Sequence, residues 1–163
     1  MTTPVERTRA LRFGWEFLME LRGAANLTDE QRSTIKGILE HYPMGSEIKQ
    51  WAMDGAFAKR RVGQLEPEDP DTFGIQNPEI PDTIPRGLTT PEQRARALRT
   101  AYEFFRIGLR NADNLTDEQR RQKPYVLRHF PESHEINSWA QADAWEAKED
   151  PAFKQWLAPE TKS

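Results

Sequence analysis

Two sets of arginines are the first candidates for chemistry. Arg7, Arg9, Arg12 and Arg22 lie near the start of the chain, and Arg94, Arg96, Arg99 and Arg110 lie past its middle. Each set falls on one expected helix, and guanidinium forks on two related helices clamp phosphates or a partner's carboxylates. The plain alternative is a solvated helix face, in which Glu6, Glu16 and Glu20 answer the arginines at spacings of three and four. His41 and His129 stand in the matching runs H-Y-P and H-F-P. An imidazole there serves as an acid–base group or, more simply, caps the last carbonyls of a helix at the negative end of its dipole. His129 and His134 flank a proline, so they do not sit one turn apart on one helix as zinc ligands often do. Glu16 and Glu103 occupy matching places, but neither is followed by the Glu-x-x-His pattern of helical-bundle metal sites. Trp51, Trp139, Trp145, Phe153 and Trp156 form an aromatic set. Trp51 and Trp139 are periodic and read as core, whereas Trp156, near the chain end, reads as an exposed contact.

No catalytic residue, metal ligand or cofactor emerges. The nine glycines never form G-x-G, and no nucleophile elbow or Ser–His–Asp framework is present. The absence of cysteine removes disulfides, zinc-thiolate sites and thiol catalysis together. The candidates for partner contact are therefore Arg7, Arg9, Arg12, Arg94, Arg96, Arg99 and Trp156.

The elements that would position these residues are written twice. Residues 2–57 align with residues 89–145, with one extra residue in the second copy near Gly108, and 28 of 56 positions are identical. The run N-L-T-D-E-Q-R is unbroken at Asn26–Arg32 and Asn114–Arg120. Each copy reads as three helices. Thr3, Pro4 and Glu6 start the first, and Thr90, Pro91 and Gln93 start its counterpart. Apolar positions then follow the helical period from Ala10 to Leu21 and from Ala97 to Leu109. Small residues, Gly14 and Ala101, leave room for a close helix. Thr28 with Gln31, and Thr116 with Gln119, open the second helices, and acids fill their first turns where the dipole favours them. Pro124 stands opposite Lys36 and is expected to kink the helix or delay its regular part to residue 124. Third helices are expected from about Ser46 to Arg60 and from about Ser133 to Lys148. A short fourth helix, capped by Asp150, would carry Phe153, Trp156 and Leu157.

Residues 62–88 differ. They hold five of the twelve prolines and six acids against one arginine, net −5, while residues 1–61 are net +2 and residues 89–163 net zero. This is an extended linker without a regular helix. The recurring Leu65, Phe73, Ile75, Ile80, Ile84 and Leu88 imply that it lies against the helices as a strap.

The opening T-P-V-E-R-T-R-A-L (Thr3–Leu11), with E-F-L at Glu16–Leu18 and L-E-H-Y-P at Leu39–Pro43, resembles a family of short proteobacterial proteins of uncharacterised function. Those proteins are similar to a single copy, with a T-P-x-E-R-T-R-A-L opening and an L-R-H-Y-P close. The resemblance covers residues 2–43 and, more loosely, 89–131. It implies a bacterial or mobile-element origin and transfers no activity.

The fold expected is all-α. Two tandem repeats of about three helices each, residues 2–61 and 89–148, pack as a pseudo-two-fold bundle. The proline-rich acidic linker at 62–88 joins them, and a short C-terminal helix and tail occupy 149–163. The chain reads as a cytoplasmic monomer with an internal pseudo-dimer. It has no membrane-length apolar run and no signal-like start. The function expected is non-enzymatic: a bacterial or phage regulatory protein that binds a protein partner. A nucleic-acid-binding regulator using the first-helix arginines is the alternative, with the net charge of −3 against it. A second alternative is a small-ligand binder or enzyme with a polar pocket at His41 or His129 between the repeats.

Overall fold

The computed structural model describes residues 2–56, 64–68 and 79–160. Among the described residues every regular element is a helix, and there is no strand. Six α-helices follow in order: α1 (Pro4–Arg22), α2 (Asp29–Leu39), α3 (Gly45–Ala56), α4 (Pro91–Glu103), α5 (Asp117–Leu127) and α6 (Ser133–Glu149). Four of them start at capping boxes expected from the sequence. Thr3 Oγ1 accepts from the Glu6 N–H at 3.2 Å while Glu6 Oε1 accepts from the Thr3 N–H at 2.9 Å. Thr28 with Gln31, Thr90 with Gln93 and Thr116 with Gln119 do the same. Each such cap is worth about 1 kcal/mol, so the helix starts are specified locally.

The extra residue near Gly108 has a structural outlet. Phe104–Gly108 forms a π-helical turn directly after α4, and the Leu109 N–H donates to the Phe104 carbonyl at 2.9 Å. Widening one turn absorbs a single residue without unwinding the helix. Leu109 therefore reaches the core, as Leu21 does at the end of α1.

Pro124 does not delay α5. The helix begins at Asp117 and runs through the proline to Leu127, and the Arg128 N–H returns to the Pro124 carbonyl at 3.0 Å. The capping box fixes the start, and proline's backbone angle is itself helical. The third helix is described to Ala56; its expected continuation to Arg60 lies outside the described residues, as do Phe73 and Ile75.

The short fourth helix does not form: residues 153–160 carry no helix after a turn at Pro151–Ala152. Tertiary partners take its backbone groups instead. The Leu157 N–H donates to Asp143 Oδ2 at 3.0 Å, the Ala158 N–H to the Pro91 carbonyl at 3.2 Å, and the Trp156 carbonyl accepts from Arg94 at 2.6 Å. Three such bonds compete directly with the i to i+4 pattern of a single helical turn.

One hydrophobic cluster gathers residues from both halves of the chain. Helix α1 packs on α2, α3 and α5, while α4 packs on α2 and α6, and the π turn meets α5. Each half's first helix thus touches the second helix of the other half. Reciprocal polar bonds cross the same boundary. Asn26 Nδ2 donates to the Asn114 carbonyl at 2.7 Å and to Gln119 Oε1 at 2.8 Å. Asn114 Nδ2 donates to the Asn26 carbonyl at 3.0 Å and to Gln31 Oε1 at 2.6 Å. The run N-L-T-D-E-Q-R therefore supplies both a helix start and an inter-half lock.

The described linker residues lie against this bundle. Leu65 is fully buried, and Ile80 and Ile84 pack on the core, but Leu88 is wholly exposed. Trp15 Nε1 donates to the Pro81 carbonyl at 3.0 Å. Arg86 donates to the Leu39 and Tyr42 carbonyls at 2.9 and 2.6 Å and pairs with Glu47 at 2.6 Å. The end of α2 is thereby capped from the linker.

Candidate functional site

Arg7, Arg9, Arg12, Arg94, Arg96 and Arg99 pair within the chain, whereas Arg22 and Arg110 are exposed. Arg7 Nε donates to the Gln64 carbonyl at 2.8 Å. Arg12 makes a forked contact with Glu68, Nε to Oε2 at 2.6 Å and Nη2 to Oε1 at 2.9 Å, and Arg9 Nε stands 3.6 Å from Glu68 Oε1. In the second half, Arg94 donates to the Trp156 carbonyl, and Arg96 and Arg99 converge on Glu160 Oε1 at 3.0 and 2.7 Å. The segments that receive them are Gln64-Leu65-Glu66-Pro67-Glu68 and Trp156-Leu157-Ala158-Pro159-Glu160. Both read Leu-x-Pro-Glu. In both the leucine is buried, the first carbonyl takes one arginine, and the glutamate takes two more.

Burial gives these arginines different characters. Arg12 is buried, and its guanidinium stays well charged: desolvation opposes the charge, and the bonds to Glu68 and Glu16 overcome it. Burial lowers the pKa of Arg94 and Arg7. Arg94 lies 5.2 Å from the centre of the Trp156 ring and Arg7 lies 5.6 Å from that of Trp139. Neither Arg12 nor Arg94 is a solvated helix face. Trp156 is not an exposed contact either: it is 2% exposed. It stacks on Trp51 at 5.9 Å and donates from Nε1 to Asp54 at 2.9 Å. Trp145 is the exposed member of the aromatic set.

The histidines do not cap their own helices. His41 Nδ1 pairs with Thr89 Oγ1 at 2.9 Å and His129 Nδ1 with Thr2 Oγ1 at 3.1 Å. Each imidazole thus reaches the first threonine of the other half, which sequence spacing alone does not reveal. His129 Nε2 also meets Glu6 Oε2 at 2.9 Å. The place of Glu6 is taken by Gln93 in the second half.

Two grooves lie at aligned positions between first and second helices. The groove between α1 and α5 encloses about 260 Å³, with Phe13, Phe17, Tyr125 and Val126 as its apolar wall and Glu16, Glu20 and Gln122 at its rim. The groove between α2 and α4 encloses about 350 Å³ and is lined by Thr34, Gly37, Ile38, His41, Arg96 and Thr100, among others. In the alignment Phe13 corresponds to Thr100, Tyr125 to Gly37, Gln122 to Thr34 and Val126 to Ile38. One groove is aromatic where the other is polar. Tyr125 is 66% exposed, so its ring costs solvation and does little for the core.

Among the described residues, one group offers three metal-ligating atoms close together: Glu132, His134 and Glu135 at the start of α6. Glu135 Oε1 already accepts the Glu132 N–H at 3.3 Å, and His134 Nδ1 pairs with Glu132 at 3.3 Å. This is an exposed acidic helix start whose groups satisfy one another. Glu16 and Glu103 do not join such a group. No described helix is long and apolar enough to cross a membrane. Comparison with protein-family models, curated proteins and solved structures returned no match.

Glu68 and Glu160 were missed at the level of sequence. Their signal was available in the repeated Leu-x-Pro-Glu, but the second lies 92 residues after the first, not 88, so it falls outside the continuous alignment. The aromatic groove was missed for another reason. Phe13 and Tyr125 are 112 positions apart and stand out only once α1 is seen against α5.

Proposed function

We propose that the chain is a tandem duplication packed about a pseudo-two-fold axis, a monomer with an internal pseudo-dimer. In this reading it is a cytoplasmic, non-enzymatic regulatory protein of bacterial or phage origin. It acts by docking a segment of a protein partner in the groove between α1 and α5. The carrying observation is the asymmetry between the two aligned grooves. Phe13 and Tyr125 add aromatic surface to one, where the other has Thr100 and Gly37. Shared core needs do not explain an exposed Tyr125, and a groove walled by exposed Tyr125 and half-buried Phe13 suits an apolar anchor.

Carboxylates stand at the rim. Arg12 is shared between Glu16 and Glu68, and Glu20 adds a carboxylate one turn further along α1. The occupant this wall suits is a short segment that presents one large apolar side chain. The nucleic-acid reading draws less support, because the first-helix arginines are engaged by Glu68, Glu160 and backbone carbonyls.

Selection of displayed peptides on the intact protein tests this reading. Enriched peptides are expected to share an aromatic or aliphatic anchor and to be lost on Phe13→Ser and Tyr125→Ser. An enriched set that binds both variants unchanged would sink it.

A further inference from the structure

On α4, Arg96 and Arg99 direct two guanidinium groups at one oxygen of a carboxylate supplied by the chain's own tail. Arg96 Nε donates to Glu160 Oε1 at 3.0 Å and Arg99 Nη2 to the same atom at 2.7 Å. Arg99 is fixed from its other side, where Nη1 donates to Asn137 Oδ1 of α6 at 3.1 Å. No described residue donates to Glu160 Oε2. The pair of arginines is therefore set for a carboxylate, and the present occupant uses half of its acceptor capacity.

The occupant is also easy to remove. Leu157 is buried and its N–H is bound to Asp143, and the Ala158 N–H is bound to the Pro91 carbonyl. Beyond that anchor Pro159 and Glu160 are exposed. The Glu160 side chain is 51% exposed, that of Arg96 57% and that of Arg99 18%, whereas Glu68, Arg12 and Arg9 in the first half are 14%, 6% and 21% exposed. Displacing Glu160 would break no core contact, whereas displacing Glu68 would unpair the enclosed Arg12. Arg96 also borders the polar groove of Gln93, Thr100 and His41, which extends the binding surface beyond the two guanidinium groups.

We propose that Arg96 and Arg99, with Asn137 orienting the latter, form a carboxylate site for an acidic segment of a partner protein, covered by Glu160 until that segment displaces it. An exposed ion pair shifts an equilibrium only a few-fold, so the tethered Glu160 leaves the two arginines open to a competing carboxylate segment. The site is separate from the aromatic groove and does not depend on it.

The test is fluorescence anisotropy of labelled hexaglutamate peptide with the full chain at low salt. Glu160→Gln is expected to tighten binding about two- to five-fold, the range an exposed ion pair allows. Glu118→Gln, which removes the same charge from the start of α5, is expected to leave affinity at the wild-type level. Arg96→Gln with Arg99→Gln is expected to abolish binding in either background, and Tyr125→Ser to leave it unchanged. Equal affinity of wild type and Glu160→Gln, or binding that survives loss of both arginines, would overturn the proposal. So would inorganic phosphate or a single-stranded oligonucleotide binding more tightly than the peptide with the same arginine dependence, which would make this a phosphate site. Unchanged circular dichroism of the variants confirms that they fold.

Discussion

The two Leu-x-Pro-Glu segments use one chemistry in two environments. Each lays a leucine in the core, gives a carbonyl to an arginine and ends on a glutamate held by two more arginines. The first is enclosed: Glu68 meets Arg12 in a forked, buried pair. The second is anchored more strongly upstream, through the Trp156 ring, and more weakly at its end, through an exposed Glu160. Equivalent pairings thus differ in what breaking them costs, more where solvent is excluded and less where it is not. A buried pair cannot lose one partner without stranding the other charge, and an exposed pair returns both to water at little cost.

The sharpest way to break the comparison is at its strongest anchor. Trp156→Ala should cost about 3–5 kcal/mol, because it empties a fully packed site against Trp51 and deprives Asp54 of its donor. Urea unfolding reads the loss, and a small value would mean that the tail is not part of the core. Next is the contrast between the arginine pairs. Arg12→Ala should cost about 2–3 kcal/mol by removing the fork from an enclosed Glu68, which keeps only Arg9 at 3.6 Å. Arg99→Ala, whose partner Glu160 is half exposed, should cost no more than about 1 kcal/mol. Equal losses would remove the distinction between the two clamps.

A smaller effect tests the helix contact beside them. A Cβ on Gly14 would stand 2.5 Å from the Tyr42 hydroxyl and 3.1 Å from the Phe130 ring. Gly14→Ala should therefore cost about 1–3 kcal/mol by overpacking. The aligned second-half residues are Ala101 and Phe130, a methyl group where the hydroxyl is missing. Gly14→Ala combined with Tyr42→Phe is accordingly expected to be more stable than Gly14→Ala alone, and thermal melts of the two decide it.

The smallest expected effect is in acid. The Glu160 carboxyl is held below its ordinary range, chiefly by the hydrogen bond from Arg96 and then by the charge of Arg99. Glu6 is lowered as well, chiefly by the Thr3 backbone N–H. A depressed carboxylate contributes stability that is complete above its unfolded pKa and fades as pH falls through the lower folded value. Glu160→Gln should flatten the decline of melting temperature below about pH 4.5 slightly, and high salt should erase most of the difference.

Much of the helix layout was legible because its signals are local. Thr3, Thr28, Thr90 and Thr116 each close a capping box within three residues, and the apolar period marks the buried face of α1 and α4. The π turn was legible only as an unexplained extra residue. The candidate sites were far less legible. The arginines were visible, but not that they bind the chain's own glutamates, since Arg12 and Glu68 are 56 residues apart. Nor do the runs H-Y-P and H-F-P say that each imidazole reaches the opposite half, 48 and 127 residues away.

The sequence by itself determined where helices start, which of their faces are apolar and that one pattern occurs twice, because propensity, capping and periodicity act over a few residues. Tertiary structure alone decided that Trp156 is core, that its segment is not helical, and that Phe13 meets Tyr125 in a groove. Those outcomes depend on which distant groups satisfy a backbone N–H, a guanidinium or a ring, and that competition is settled only when the helices pack.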